Sequence, residues 1–164
     1  MDVTEIHGRL KARFEAGVGD CTTKAKDPFI MVEPAALSEV CRFLHDDPDL
    51  RFDSLSNQSG VDYKAKGHIE VVYHLYSYTH RHWLVLKVDV PRDNPVLPTV
   101  EGIWKAANWH EREIYDLLGV TFEGHPDLRR LLMPEDWIGH PLRKDFVEPE
   151  EYHGINTRRE SLLR

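Results

Sequence analysis

Two runs of alternating residues constrain this chain more than anything else in it. Ile69, Val71, Tyr73 and Leu75 alternate with Glu70, Val72, His74 and Tyr76, and Leu84, Leu86, Val88 and Val90 alternate with Trp83, Val85, Lys87 and Asp89. A period of two is the mark of a β-strand, because successive side chains point to opposite faces. The link Ser77-Tyr78-Thr79-His80-Arg81 is short enough to close the two runs into a hairpin. Both runs carry apolar residues on each face near their centres, so the sheet must be covered on both sides over part of its length. One cover is expected from this chain's own helices and the other from another protein.

The helices are legible from spacings of three and four. Val3, Ile6, Leu10 and Phe14 give residues 2–16 one apolar face, and Gly17 and Gly19 end that helix. Phe29-Ile30-Met31-Val32 reads as a buried strand. Pro34 suits the first turn of a second helix, striped by Leu37, Val40, Cys41 and Leu44 and stopped at Asp46-Asp47-Pro48. Cys41 then reads as a small core residue. Phe52 to Tyr63 predicts a strand that runs into a turn at Gly60. Pro91, Pro95 and Pro98 remove donors and predict an irregular segment over 91–98. From Thr99 as N-cap, Val100, Ile103, Trp104, Ala107, Ile114, Leu117 and Leu118 predict one helix that closes at Gly119.

After Gly119 the character changes to Pro, Gly, His and charge, with a short helix expected only over Asp127 to Met133. Phe122, Leu128, Leu131, Leu132, Met133, Trp137, Ile138, Leu142 and Phe146 lie in this stretch and need something to pack on. The expected fold class is therefore α+β: a small two-layer domain, residues 1–119, with a mixed or antiparallel sheet packed on helices. Residues 120–164 follow as an extended irregular C-terminal arm that contacts partner subunits.

Composition excludes several classes. The 164 residues hold 21 Lys+Arg and 28 Asp+Glu, and 21 − 28 gives a net charge of −7. Nucleic acid and anionic membranes demand basic patches, so neither is expected as the main partner. Cys21 and Cys41 are the two cysteines and form no CxxC, which rules out a four-thiolate iron–sulfur or zinc site from this chain alone. The opening Met-Asp-Val-Thr-Glu lacks the basic and apolar regions of a secretory signal, so free thiols in a reducing cytosol are expected. No apolar run approaches the roughly 18–20 residues needed to cross a bilayer.

Chemistry concentrates at Asn108-Trp109-His110-Glu111-Arg112-Glu113-Ile114-Tyr115-Asp116 and Gly124-His125-Pro126-Asp127-Leu128-Arg129-Arg130. A metal site built from His110, Glu113 and His125 is one reading. Against it, the residue four after His110 is Ile114, so the HExxH spacing of helical zinc proteases is absent. Glu111 and Glu113 also point about 200° apart on a helix and cannot hold one ion together. The alternative pairs Glu111, Glu113 and Asp116 with Arg112, Arg129, Arg130 or a neighbour's arginines, through bidentate guanidinium forks. That structural reading outweighs the metal one. His68, His74, His80 and His82 surround the hairpin at spacings poor for one ion. Gly17-Val18-Gly19-Asp20 is no phosphate loop, and Ser54, Ser56 and Ser59 lack a nucleophile's partners. Trp104 and Trp109 read as core residues of one helix.

The block Glu111-Arg112-Glu113-Ile114-Tyr115-Asp116-Leu117-Leu118-Gly119, followed by His125, Pro126, Asp127, Arg129, Arg130 and Leu131-Leu132, resembles the respiratory complex I 30-kDa-subunit family, the C-type subunits of proton-pumping NADH–quinone oxidoreductases. His140-Pro141-Leu142-Arg143-Lys144-Asp145-Phe146 continues the resemblance. It implies a subunit of an oxidoreductase complex that binds no cofactor itself, with FMN, iron–sulfur clusters and quinone held by partner subunits. It further implies a place in the peripheral arm, on the cytoplasmic face of the inner membrane. The 49-kDa or D-type quinone-site subunit and the B-type subunit are the implied neighbours. The signature residues carried over as interface residues are Glu111, Arg112, Glu113, Asp116, Gly124, His125, Pro126, Asp127, Arg129, Arg130, His140, Pro141, Arg143, Lys144 and Asp145. Related subunits occur in membrane-bound hydrogenases and in complexes fed by other donors, which leaves that parent complex as the alternative.

Overall fold

The computed structural model describes residues 1–157, so the last seven positions of the expected arm lie outside the described residues. Helix α1 (Val3–Phe14) is started by a capping box. The Asp2 carboxylate accepts the Glu5 N–H, and the Glu5 carboxylate accepts the Asp2 N–H. Its Ile6 and Leu10 are fully buried. Strands β1 (Val18–Thr22) and β2 (Phe29–Val32) follow, then α2 (Leu37–Asp46), which buries Leu37, Val40, Cys41 and Leu44 as its sequence stripe requires. Strands β3 (Ser54–Tyr63), β4 (His68–Ser77) and β5 (His82–Pro91) complete one sheet in the order β1-β2-β5-β4-β3. β2 pairs parallel to β5 and every other pair is antiparallel, so the sheet is mixed.

The hairpin register places Val71 opposite Val88, Tyr73 opposite Leu86 and Leu75 opposite Leu84, with Ile30 of β2 beside Leu86. These residues form the helix-covered face and carry the core together with α1 and α2. On the other face Val72 and Val85 are also buried, while Glu70 and Lys87 pair at 2.9 Å and the Lys87 ammonium lies 4.3 Å above the Phe29 ring. At the hairpin end that face opens, with Tyr76 against Trp83 at 4.4 Å between ring centroids and Tyr78 and Trp83 exposed.

Four local expectations change. β3 does not turn at Gly60 but runs straight through it to Tyr63. Glycine stands there because a Cβ would lie 2.4 Å from the Leu118 Cδ1 of the helix packed above. The proline segment is not wholly irregular: β6 (Val96–Pro98) pairs in parallel with β7 (Thr121–Glu123), and Pro98 ends the strand, where a missing donor does least harm. Helix α3 spans Ala107–Leu118 rather than starting at Thr99. Over 99–104 the chain forms turns, and Ile103 and Trp104 mimic helical spacing while packing as loop residues, Trp104 donating its indole N–H to the Phe52 carbonyl at 2.9 Å. Residues 127–133 form no helix, because their N–H groups find a stronger acceptor in α3. Near the end of the described chain, β8 (Glu151–Tyr152) and β9 (Ile155–Asn156) make a small ribbon.

Candidate functional site

Helix α3 sorts its charges by face. Glu111, Arg112 and Asp116 point inward and are buried, while Glu113 is exposed, as the 100° step between residues dictates. Asp116 is fully buried and collects four donors. Its Oδ1 accepts from Arg130 Nη1 at 2.8 Å, and its Oδ2 accepts the backbone N–H groups of Leu131, Leu132 and Met133 at 3.0, 2.7 and 2.8 Å. Burial opposes its ionisation, but the three amides and the guanidinium outweigh that and hold its pKa below the ordinary carboxylate range. Arg130 also reaches the Trp137 carbonyl at 2.9 Å and the Gly139 carbonyl at 3.3 Å. One ion pair thus fixes two separate stretches of the C-terminal segment.

Glu111 faces a different environment. It accepts from the Thr99 hydroxyl and from the Val100 N–H at 2.8 Å, and no arginine among the described residues pairs with it. Burial dominates and pushes its carboxyl up to about 7. The His125 ring lies 4.0 Å away. Because Asp127 donates its N–H to His125 Nδ1 at 3.0 Å, the neutral ring carries its proton on Nε2 and donates it to the Asn108 carbonyl at 3.3 Å. Gly124, with φ +80°, and Pro126 shape the turn that brings His125 inward.

The C-terminal end of α3 is closed by the segment it precedes. Its last carbonyls have no partner within the helix. His140 Nδ1 donates to the Asp116 carbonyl at 3.0 Å, the Leu142 N–H to Leu117 at 3.0 Å and Arg143 Nε to Leu118 at 2.7 Å. Gly119 permits this: it holds φ +75°, and a Cβ there would lie 2.5 Å from His140 Nε2. Pro141 sits between two of these capping residues. Farther on, the Lys144 N–H donates to the buried Asp62, which Arg92 also clamps through Nε at 2.8 Å and Nη2 at 3.1 Å, and Arg92 reaches on to Asp145. The Arg92 bond leads the causes that lower the Asp62 pKa.

Set against the sequence expectations, Asp116 pairs with Arg130, but Arg112 pairs with no acid among the described residues. It donates to the Arg129 and Arg130 carbonyls at 3.3 and 3.4 Å and lies over the Trp109 ring. Arg129 pairs with Asp127 at the surface. His110, Glu113 and His125 are not gathered, and no group of three metal-donor side chains forms among the described residues. Trp109 is exposed rather than core. Thr99 and Arg92 belong to the site although nothing in their spacing announces it, and Asp62 carries a signal only as an acid on the same face of β3 as Gly60 and Gln58.

The molecule defined by these features is a small α+β protein whose charged helix gathers its own C-terminal segment. The model of the family described as respiratory-chain NADH dehydrogenase, 30 Kd subunit, matches residues 30–152. The C-type subunit of the NADH-quinone oxidoreductase of Roseiflexus sp. (strain RS-1) is 47% identical over 146 residues, covering 88% of this chain and 84% of that one. Among solved structures, the trypsin-resistant fragment (1–134) of Nqo5 aligns with a TM-score of 0.63 and 29% identity, covering 78% of this chain and all of that one. A chain of the membrane-bound sulfane sulfur reductase, an archaeal respiratory membrane complex, shares the fold with a TM-score of 0.64 at 24% identity, over 88% of this chain and 85% of that one. The chain belongs to the respiratory-chain NADH dehydrogenase 30-kDa subunit family.

Proposed function

We propose that this chain is a non-catalytic peripheral-arm subunit of a membrane-bound NADH–quinone oxidoreductase, the translocase that couples electron transfer from NADH to quinone with proton movement. Its role is to assemble and brace the complex beside the 49-kDa or D-type quinone-site subunit and the B-type subunit, on the cytoplasmic face of the inner membrane. FMN, iron–sulfur clusters and quinone belong to those partners and their neighbours. Residues 1–119 form the domain and 120–164 the arm that contacts them. The family to which the relatives belong favours this parent complex. No described helix is long and apolar enough to cross a membrane.

The observation that carries the reading is what the signature residues do. Asp116, Arg112, Arg130, His140 and Arg143 spend their hydrogen bonds on shaping residues 129–143. That shaped segment leaves Leu132, Ile138 and Leu142 exposed, and with Val147 just beyond it they make an apolar surface on irregular chain that a neighbour would cover. A tagged full chain expressed in its own host tests this: the quinone-site and B-type subunits should co-purify and be named by mass spectrometry. Recovery of hydrogenase subunits instead would select the second reading, an equivalent subunit of a complex fed by another donor, which the recurrence of the fold in the sulfane sulfur reductase keeps in view. Recovery of the chain alone would contradict both.

A further inference from the structure

We propose that the groove between β3 and α3 receives an extended segment of a partner subunit, which inserts one apolar side chain into the groove and sets a basic residue on Glu113. The inference rests on the reading of the chain as a complex subunit. β3 is the last strand of the sheet, and no strand among the described residues pairs with its outer edge. A ten-residue edge with unpaired backbone groups is a template for an added strand unless something covers it. Where α3 overhangs that edge the molecule leaves a pocket of about 160 Å³. Ile114, Leu117 and Leu118 form its apolar wall, Asn57, Gln58, Ser59 and Gly60 of β3 line the opposite side, and Leu142, half exposed, forms its lip. An apolar cavity of about 150 Å³ holds a benzene-sized group, so this one suits a single Leu, Met or Phe side chain.

Charge selects the rest of the partner. The buried acids of α3 are satisfied within the chain, Glu111 by Thr99 and Val100 and Asp116 by Arg130 and the amides after it. The Glu113 carboxylate makes no hydrogen bond or ion pair with any described residue, and it stands exposed at the rim of the pocket. An arginine or lysine next to the inserted side chain would complete it, whereas an acidic or purely polar segment would leave a like charge or an empty pocket.

The test is photo-crosslinking in the assembled complex. The full chain carries p-benzoylphenylalanine at Leu117 on the groove wall or, in a second variant, at exposed Asn57 on β3, and the purified membrane complex is irradiated and digested. Both probes should label one stretch of one partner, containing an apolar residue within two positions of an Arg or Lys. Glu113→Lys should lower that yield roughly tenfold, and exchanging the partner's basic residue for Glu should restore it. Labelling of an acidic or polar stretch, labelling of a second copy of this chain, or no labelling in a complex with all its subunits present overturns the proposal while leaving the subunit reading intact. If the unsubstituted chain co-purifies with no other subunit, the subunit reading falls and the groove proposal with it.

Discussion

The backbone N–H of Leu132 lies 2.7 Å from Oδ2 of Asp116, sixteen residues earlier in the chain, with Leu131 and Met133 donating to the same oxygen. A single carboxylate therefore stands in for the carbonyls that a helix over 127–133 would have supplied. Asp116→Ala leaves Arg130 and three amides without their acceptor. Breaking a buried pair from one side costs about 3–5 kcal/mol, and Asp116→Asn should cost less because one oxygen acceptor remains. Chemical denaturation gives the stability, and hydrogen exchange should show the amides of residues 131–133 losing protection first.

Glu111 makes stability depend on pH in the unusual direction. Its carboxyl sits at about 7 in the folded chain, against about 4.3 when unfolded. Between those values the folded state keeps a proton that the unfolded state has lost, so the contribution is full at acid pH and disappears as pH rises towards about 7. Asp116 and Asp62, with lowered pKa values, act oppositely and lose their contribution only as pH falls through their folded values. Urea midpoints of the isolated chain measured over about pH 5 to 8 should decline for the native sequence and flatten for Glu111→Gln. An unchanged slope in the variant would assign the decline to another group.

Arg92 holds the arm at a second point. Its guanidinium clamps the fully buried carboxylate of Asp62, to which the Lys144 N–H also donates. Arg92→Ala strands that carboxylate and should cost about 3–5 kcal/mol. Adding Asp62→Asn should recover part of the loss, since the group left behind is then neutral. The two denaturation curves, compared with exchange at the Lys144 amide, check both statements.

These sites also explain how much of the fold the residues announce. The β4–β5 hairpin is legible because both faces of its strands report burial through period-two alternation, and α2 because four buried residues fall on one stripe. β1 is not, since Val18 is its only fully buried residue and Gly19 and Asp20 disguise it. The start of α3 is hidden because Ile103 and Trp104 continue the helical spacing into a turn that Thr99 and Glu111 fasten instead. The pairing of Asp116 with Arg130 follows from charge and position, whereas Asp62 and Arg92 are joined across thirty residues by tertiary folding alone.

The proposal that this chain acts by docking and not by chemistry is tested most directly at the most exposed apolar residues among those described in its arm. Ile138 and Val147 are 88% and 84% exposed, so replacing both by Ser leaves the fold of the isolated chain nearly untouched. The measurement is the quinone-reduction rate per assembled complex, beside the amount of complex recovered from membranes. Several-fold less complex, with an unchanged rate in each one that forms, is the predicted result. A double variant that assembles with every subunit in place but has lost the rate would contradict it.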